Sequence, residues 1–253
     1  MQQRVLITAG AGSIGLAIAR AFTATGARVH LADIDATAIA TATAGCAQLT
    51  GSLADISEPQ QVEQLFVDVE RELGGLDVLI NNAGIAGPRA PIDRLSPAEW
   101  TTVVNLNLYG TFLVTRAAVP LLKRSTQASV LVMSSIAGRY GAPNRIAYAT
   151  TKWGLVGFTR TLAMELGPYG ITANTIHPGT VATARLSSAV ADRAAANGCS
   201  VQEETAQALR HQSVKRFVEP TDIGALAVFL AGPHARSISG QMLPVDGDAA
   251  AVP

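Results

Sequence analysis

The stretch Arg4-Val5-Leu6-Ile7-Thr8-Ala9-Gly10-Ala11-Gly12-Ser13-Ile14-Gly15 decides the fold. Its first five residues (RVLIT) are apolar and β-branched and predict a strand. From 14 to 25 apolar residues recur at helical spacing, and Gly26 closes that segment. Between strand and helix, Gly10, Gly12 and Gly15 stand at the spacing G-x-G-x-x-G. Such a turn needs glycine for tightness, for a bare backbone beside a pyrophosphate and for close helix–strand contact. The start of the helix then presents unpaired N–H groups to the phosphates. Gly10, Gly12, Ser13, Ile14 and Gly15 are therefore candidate phosphate contacts. Taken alone, the motif would equally suit an ordinary glycine-rich turn.

Outward from this unit, short β-branched runs alternate with longer amphipathic ones. Strands are expected at 28–32, 46–50, 77–81, 129–133, 171–176 and 241–245, and helices at 35–45, 59–73, 97–123, 148–166 and 220–230. Ser96-Pro97-Ala98-Glu99 combines an N-cap, a first-turn proline and a capping-box glutamate. Repeated strand–helix units imply right-handed crossovers. The fold class is α/β, a Rossmann-like, doubly wound parallel sheet of about seven strands with helices on both faces. No repeat, low-complexity tract or linker interrupts 1–253, so one domain is expected. The polar stretch 184–216 is long for a connection and reads as a substrate lid.

Composition narrows the function. The chain has 253 residues, 48% hydrophobic and 15% charged, which is too apolar for disorder. Lys+Arg and Asp+Glu both number 19, so no basic field awaits nucleic acid. Cys46 and Cys199 lie far apart and read as free thiols in a reducing compartment. No apolar run reaches the roughly 18 residues of a membrane span. The strand pattern begins at Arg4, leaving no room for a signal peptide, so a cytoplasmic location is expected. His30, His177, His211 and His234 show no metal-ligand spacing, and no metal is assigned.

Asp33 ends the second strand, 18 residues beyond Gly15, where a carboxylate can accept hydrogen bonds from an adenosine ribose. It would repel a 2′-phosphate, and neither Gly12 nor Ile34 supplies a cation for one. The expected cofactor is NAD. Further on, Tyr148 and Lys152 stand at i, i+4 on a helix and share a face. A phenol with a pKa near 10 is a poor base, and an adjacent ammonium favours its phenolate. The pair follows Ser135 by 13 residues, and Ser135 sits at the carboxyl end of a strand, where a parallel sheet borders its ligand crevice.

With these residues in place the chain resembles the short-chain dehydrogenase/reductase family, from Arg4 to about Gly247. The landmarks are Asn81-Asn82-Ala83-Gly84, Asn107-Leu108-Tyr109-Gly110, Ser135 with Tyr148 and Lys152, and Pro178-Gly179 with Thr183. The resemblance implies hydride transfer between a nicotinamide and a secondary alcohol or carbonyl. By it, Tyr148 is the general acid/base and Ser135 orients the reacting oxygen. Lys152 binds the nicotinamide ribose and tunes the tyrosine, and Asn107 holds a water in a proton relay, with Asn105 its rival. Asp55 and Ile56 lie at the adenine, Asn82, Ala83 and Gly84 run along the cofactor, and Val181 and Thr183 meet the carboxamide. A homo-oligomer, tetramer or dimer, is also implied.

One departure stands out. The family's turn, T-G-x-x-x-G-x-G, would place glycines at positions 9, 13 and 15, whereas this chain has Ala9 and Ser13. The turn length is unchanged, so the pocket is expected to survive with a shifted set of φ > 0 positions. For the substrate, a small molecule such as a sugar or hydroxy acid, Pro88, Arg89, Tyr140, Asn144, Arg145 and Arg185 are candidate lining residues. Arg145 or Arg185 would fork an anionic group. The lid cations Arg193, Arg210 and His211 would serve the same end, or pair with Asp192, Glu203 and Glu204 on the surface. Two other functions fit the same sequence: an NADP-dependent carbonyl or 3-oxoacyl reductase, and a dinucleotide sensor without turnover.

Overall fold

Alternate residues of the first strand, β1 (Arg4–Thr8), enter different layers of the protein. A computed structural model describes residues 2–250, and the side chain of Arg185 lies outside the described residues. Val5 and Ile7 pack with Ile18 and Phe22 of α1 (Ser13–Ala24) and with Ile223, Ala227 and Leu230 of α9 (Pro220–Ala231). Leu6 turns the other way, against Leu65 and Val69 of α3 (Pro59–Leu73), Val114 and Ala118 of α5 (Thr111–Leu122) and Leu155 of α6 (Ile146–Leu166). Burying such a side chain completely contributes about 1.5–3 kcal/mol, so a strand covered on both faces must be apolar on both.

The remaining strands are β2 (Arg28–Asp33), β3 (Leu49–Leu53), β4 (Val78–Asn81), β5 (Ser129–Met133), β6 (Thr172–Pro178) and β7 (Met242–Val245). All seven run parallel in the order β3-β2-β1-β4-β5-β6-β7. The order reverses between β1 and β4, which opens a crevice at their carboxyl ends. This is the doubly wound sheet the sequence predicts, with helices on both faces.

Three elements differ from the sequence expectation. The third strand lies at Leu49–Leu53 rather than 46–50. Gly51 pairs beside Leu31, and a Cβ there would come within 2.6 Å of Ile39 on α2 (Ala36–Thr43), so this register tucks the helix onto a bare backbone. The helix expected at 97–123 is three pieces: α4 (Pro97–Val104), a π-helical turn (Asn105–Gly110) and α5. The stretch expected to serve as a lid, where the sequence predicts no helix, carries two. It folds as α7 (Ala184–Asn197), capped by the Thr183 hydroxyl, and α8 (Val201–Ala208), opened by a Ser200–Glu203 capping box.

The glycine-rich turn also corrects an expectation. The φ > 0 position has not moved to Gly10 or Gly12; it stays on Ala9, at φ 48°. The turn keeps its geometry because the glycines solve a different problem. A Cβ on Gly15 would sit 2.2 Å from the Ala9 carbonyl oxygen, and one on Gly10 would sit 2.9 Å from the Ile7 carbonyl oxygen. An L-residue in the left-handed region costs about 1–2 kcal/mol, against the ~0.5–1 kcal/mol that glycine's extra unfolded-state freedom costs. Ala9→Gly is therefore expected to stabilise the protein by about 0.5–1 kcal/mol, read as a higher urea midpoint at unchanged slope. A lower midpoint would overturn this account of the turn.

Candidate active site

The candidate phosphate cradle follows directly from that turn. Gly12 is the N-cap of α1 and has no side chain with which to cap it, so the N–H groups of Ser13, Ile14 and Gly15 open toward the crevice. Gly12 and Ser13 are exposed, Ile14 is half-buried and Gly15 buried. At the end of β2, Asp33 Oδ2 accepts the Ala11 N–H at 3.0 Å and Oδ1 accepts the Ile34 N–H at 2.8 Å. A carboxylate thus lies directly against the turn. Asn82 closes the other side: its Nδ2 donates to the carbonyls of Thr8 and Ala9, both at 3.1 Å, while Thr8 Oγ1 accepts the N–H groups of Asn82 and Ala83. Gly84 continues this wall, where a Cβ would sit 3.2 Å from both Asn107 Oδ1 and Lys152 Nζ. A backbone bare on one side, an uncapped helix start and an acidic strand end are what a dinucleotide needs, so the residues present fit one.

At the adenine end, Asp55 Oδ1 accepts from the Ser57 N–H and hydroxyl. The Ile56 side chain is turned into the core, so close to Gly110 that a Cβ there would lie 2.9 Å from it; only its backbone can face a ligand. The exposed apolar groups beside Asp33 are instead Ile34 (72% exposed) and Leu53 (63%), at the ends of β2 and β3. Neither was a site candidate in the sequence, and nothing but the end of the strands could have marked them.

The reacting end gathers around α6. Tyr148 and Lys152 share its inner face, the Lys152 ammonium 5.6 Å from the centre of the Tyr148 ring. Lys152 is buried and donates to the Met133 carbonyl at 2.8 Å; burial pulls its pKa down to about 8. Burial likewise pushes the Tyr148 phenol above its ordinary value, while hydrogen bonding with Ser135 and the charge of Arg145 pull it down. The balance is upward, so the tyrosine is protonated in the protein at neutral pH. Desolvation of the phenolate outweighs the pull of Ser135 and Arg145. Ser135 Oγ accepts the Ala137 N–H at 3.1 Å, which leaves its own proton for a partner in the crevice.

Asn107, in the π turn, is fully buried. Its Oδ1 accepts the Ile85 N–H at 2.9 Å, and its Nδ2 donates to the Ile85 carbonyl and to Thr151 Oγ1, which in turn donates to the Tyr148 carbonyl. Its carbonyl accepts the Thr111 hydroxyl at 2.8 Å. The side chain expected to hold a relay water is thus fixed to protein groups, and it ties the 84–85 segment to α6. Thr8 and Thr151, absent from the sequence candidates, complete these two clamps. Their signal was position alone, one before the glycine turn and one between Tyr148 and Lys152.

The rim is less complete. The Ala90 N–H donates to the Asn144 carbonyl at 3.0 Å, joining the 85–90 and 140–145 segments into one edge. Asn144 is exposed at φ 60°, and the Arg145 guanidinium lies 5.9 Å from the Tyr148 ring centre. Val181 bridges to Val218, and Thr183 Oγ1 accepts the Leu186 N–H as the cap of α7. In the lid, Arg193 pairs with Glu204 at 2.7 Å, whereas Glu203 caps its own helix and Arg210 donates to His211. Arg193 thus joins α7 to α8. Among the described residues, no cluster of three His, Cys, Asp or Glu side chains forms, and no helix is long and apolar enough to cross a membrane.

Sheet order, the glycine-rich turn and the grouping of Ser135, Tyr148 and Lys152 are together the architecture that a dinucleotide-binding oxidoreductase would need. Comparison with known proteins agrees: residues 9–248 match the family model described as enoyl-(acyl carrier protein) reductase, and the chain belongs to the short-chain dehydrogenase/reductase family. It is 35% identical to D-beta-hydroxybutyrate dehydrogenase of Cupriavidus necator, over 96% of this chain and 95% of that one. Its fold superposes on NAD+-bound xylitol dehydrogenase with a TM-score of 0.89 at 26% identity, covering 97% of this chain and 98% of that one. It superposes equally well, at 0.89 and 29% identity, on actinorhodin polyketide ketoreductase with NADPH, covering 97% and 96%.

Proposed function

We propose that the protein is an NAD-dependent oxidoreductase that moves a hydride between nicotinamide and a small secondary alcohol or its carbonyl. The carrying observation is the placement of Ser135, just past the end of β5, beside Tyr148 and Lys152 of α6 and next to the glycine-rich turn between β1 and α1. In this proposal Gly10, Gly12, Ser13, Ile14 and Gly15 hold the pyrophosphate, and Asp33 takes the adenosine ribose. Asp55, the Ile56 backbone, Ile34 and Leu53 take the adenine, and Asn82, Ala83 and Gly84 line the middle. Lys152, Tyr148, Val181 and Thr183 take the nicotinamide end. When bound, the nicotinamide supplies the hydride chemistry. The chain supplies the proton: Tyr148, protonated at rest, gives it to a carbonyl oxygen that the Ser135 hydroxyl orients, and Asn107 fixes the helix that carries the tyrosine.

Substrate contacts are assigned to Asn144, Arg145 and Arg185, which suits a sugar or hydroxy acid. The relative from Cupriavidus necator is named for a hydroxy acid. A cytoplasmic homo-oligomer, tetramer or dimer, is part of the same proposal. The outer face of the π turn, α5 and α6 supports it: exposed Tyr109 and Phe112 stack at 6.3 Å, and Trp153 is 46% exposed.

An NADP-dependent carbonyl reductase is the competing function, and the ketoreductase neighbour with NADPH favours it. Asp33 weighs against it through charge. The test is reduced-nicotinamide absorbance across alcohols, sugars and hydroxy acids, with NAD and with NADP. We expect NAD to be preferred by at least about tenfold, a difference of roughly 1.4 kcal/mol. Asp33→Ala should erase most of that preference. Equal use of NADP by the wild type would decide for the carbonyl reductase. Tight NAD binding without turnover would decide for a sensor.

A further inference from the structure

Beneath the reacting group lies a buried imidazole that the proposed chemistry does not use. His177, on β6, is wholly buried, and so is Thr175 two residues before it on the same face. His177 Nδ1 lies 2.9 Å from the Ser135 carbonyl oxygen, and its Nε2 lies 2.8 Å from Thr175 Oγ1. A carbonyl oxygen can only accept, so Nδ1 carries the hydrogen. Nε2 is then an acceptor, and the Thr175 hydroxyl donates to it. The Ser135 carbonyl therefore fixes the tautomer, and the Thr175 hydroxyl, which also lies 3.2 Å from the Gln241 carbonyl oxygen, holds the far side of the ring.

From these contacts we infer that His177, with its ring held by Thr175, is a positioning residue for Ser135. The inference rests on the oxidoreductase function proposed above. Ser135 stands where β5 has ended and a single helical turn (Ile136–Gly138) begins, in extended backbone at φ −169° and ψ 166°. Its carbonyl accepts from His177 on one side and from the Gly138 N–H at 2.9 Å on the other. The peptide plane that leaves Ser135 is thereby held from the neighbouring strand as well as from its own turn. Its hydroxyl oxygen accepts the Ala137 N–H, so the orientation of that turn sets the direction in which the hydroxyl proton points. Losing the contact from β6 would leave Ser135 in place but its hydroxyl misdirected, and displacements of about 1 Å at a reacting centre cost up to 100-fold in rate.

The experiment uses the full-length protein with NAD and the best secondary alcohol from the panel. His177→Leu removes the donor at similar volume; His177→Asn restores an N–H near the Nδ1 position. Thr175→Val removes the hydrogen bond that holds the Nε2 side of the ring and leaves the imidazole, and Thr175→Ser keeps that bond. Expected are a 10- to 100-fold lower kcat for His177→Leu, a smaller loss for Thr175→Val, recovery to within about threefold for His177→Asn and Thr175→Ser, and NAD affinity within about twofold throughout. In a Ser135→Ala background, His177→Leu should cost less than about threefold more, because the group it positions is already gone. Full additivity there, or wild-type kcat in both His177→Leu and Thr175→Val, would overturn the inference. If His177→Leu fails to fold, Thr175→Val and its serine rescue decide it. Wild-type protein inert toward the whole panel with either cofactor would overturn the oxidoreductase function and this inference with it.

Discussion

Tyr148→Phe is expected to lower kcat/KM by about 10³-fold while leaving NAD affinity within about twofold, a loss within the 10²–10⁴ that a positioned proton donor contributes. The substitution deletes one oxygen and nothing else. The ring keeps its seat on α6, and Lys152 keeps both its bond to the Met133 carbonyl and its place 5.6 Å from the ring centre. Ser135 still orients the substrate oxygen, so binding is spared and chemistry is not. Because burial raises the Tyr148 pKa, carbonyl reduction should proceed well at neutral pH, while alcohol oxidation, which needs the phenolate, should rise toward alkaline pH. Single-turnover kinetics in both directions measure this. A variant that keeps a tenth of wild-type activity would mean that another group handles the proton.

Acid should unfold this protein earlier than its carboxylates require. His30 and His177 are both buried as neutral imidazoles, and burial lowers each pKa from 6.5 to about 4. His30 lies between Thr50 Oγ1 at 2.7 Å and Ser52 Oγ at 2.9 Å, and Ser52 donates onward to Asp68. For a depressed folded pKa, the unfolded chain takes up protons first. Stability is therefore complete above about pH 6.5, falls as pH drops toward 4, and levels off below it. Each group contributes about 3 kcal/mol by pH 4, at 1.36 kcal/mol per pKa unit. Together that is a large part of the roughly 5–15 kcal/mol holding a domain folded. Asp68 and Asp77, whose pKa values lie below the usual carboxylate value, act only in a lower window. Urea midpoints should stay level from pH 7.5 to about 6.5 and fall steadily from there to 4.5, and His30→Gln should roughly halve that slope. A flat profile over that range would refute the assignment.

Sheet, crossovers and phosphate cradle were legible because each rests on a local rule: alternating element types, apolar strands buried on both faces, and glycine where a Cβ has no room. The pair Tyr148 and Lys152 was legible from helical spacing, and the Asp33 position from strand ends. What escaped depends on distance in the chain. Nothing near Ser135 announces that His177, 42 residues later, meets its carbonyl across two parallel strands. Nothing near Ile56 says that its side chain packs on Gly110. The third strand was misplaced because its register is set by α2 lying on Gly51, which a one-strand pattern cannot express. Ala9 shows the opposite case, a residue type that argues against its own conformation and is overruled by the surrounding turn.

The π turn at Asn105–Gly110 has one more consequence. Each residue added to an α-helix rotates everything beyond it by about 100°, so a wider turn acts as a phase adjuster between two helices that would otherwise share one stripe. Upstream, α4 presents Val103 inward; downstream, α5 buries Leu113, Val114 and Ala118 against the sheet; and only the adjusted turn between them aims Asn107 at Ile85 and Thr151. The segment therefore behaves as a single residue of insertion whose extra rotation the site has put to use.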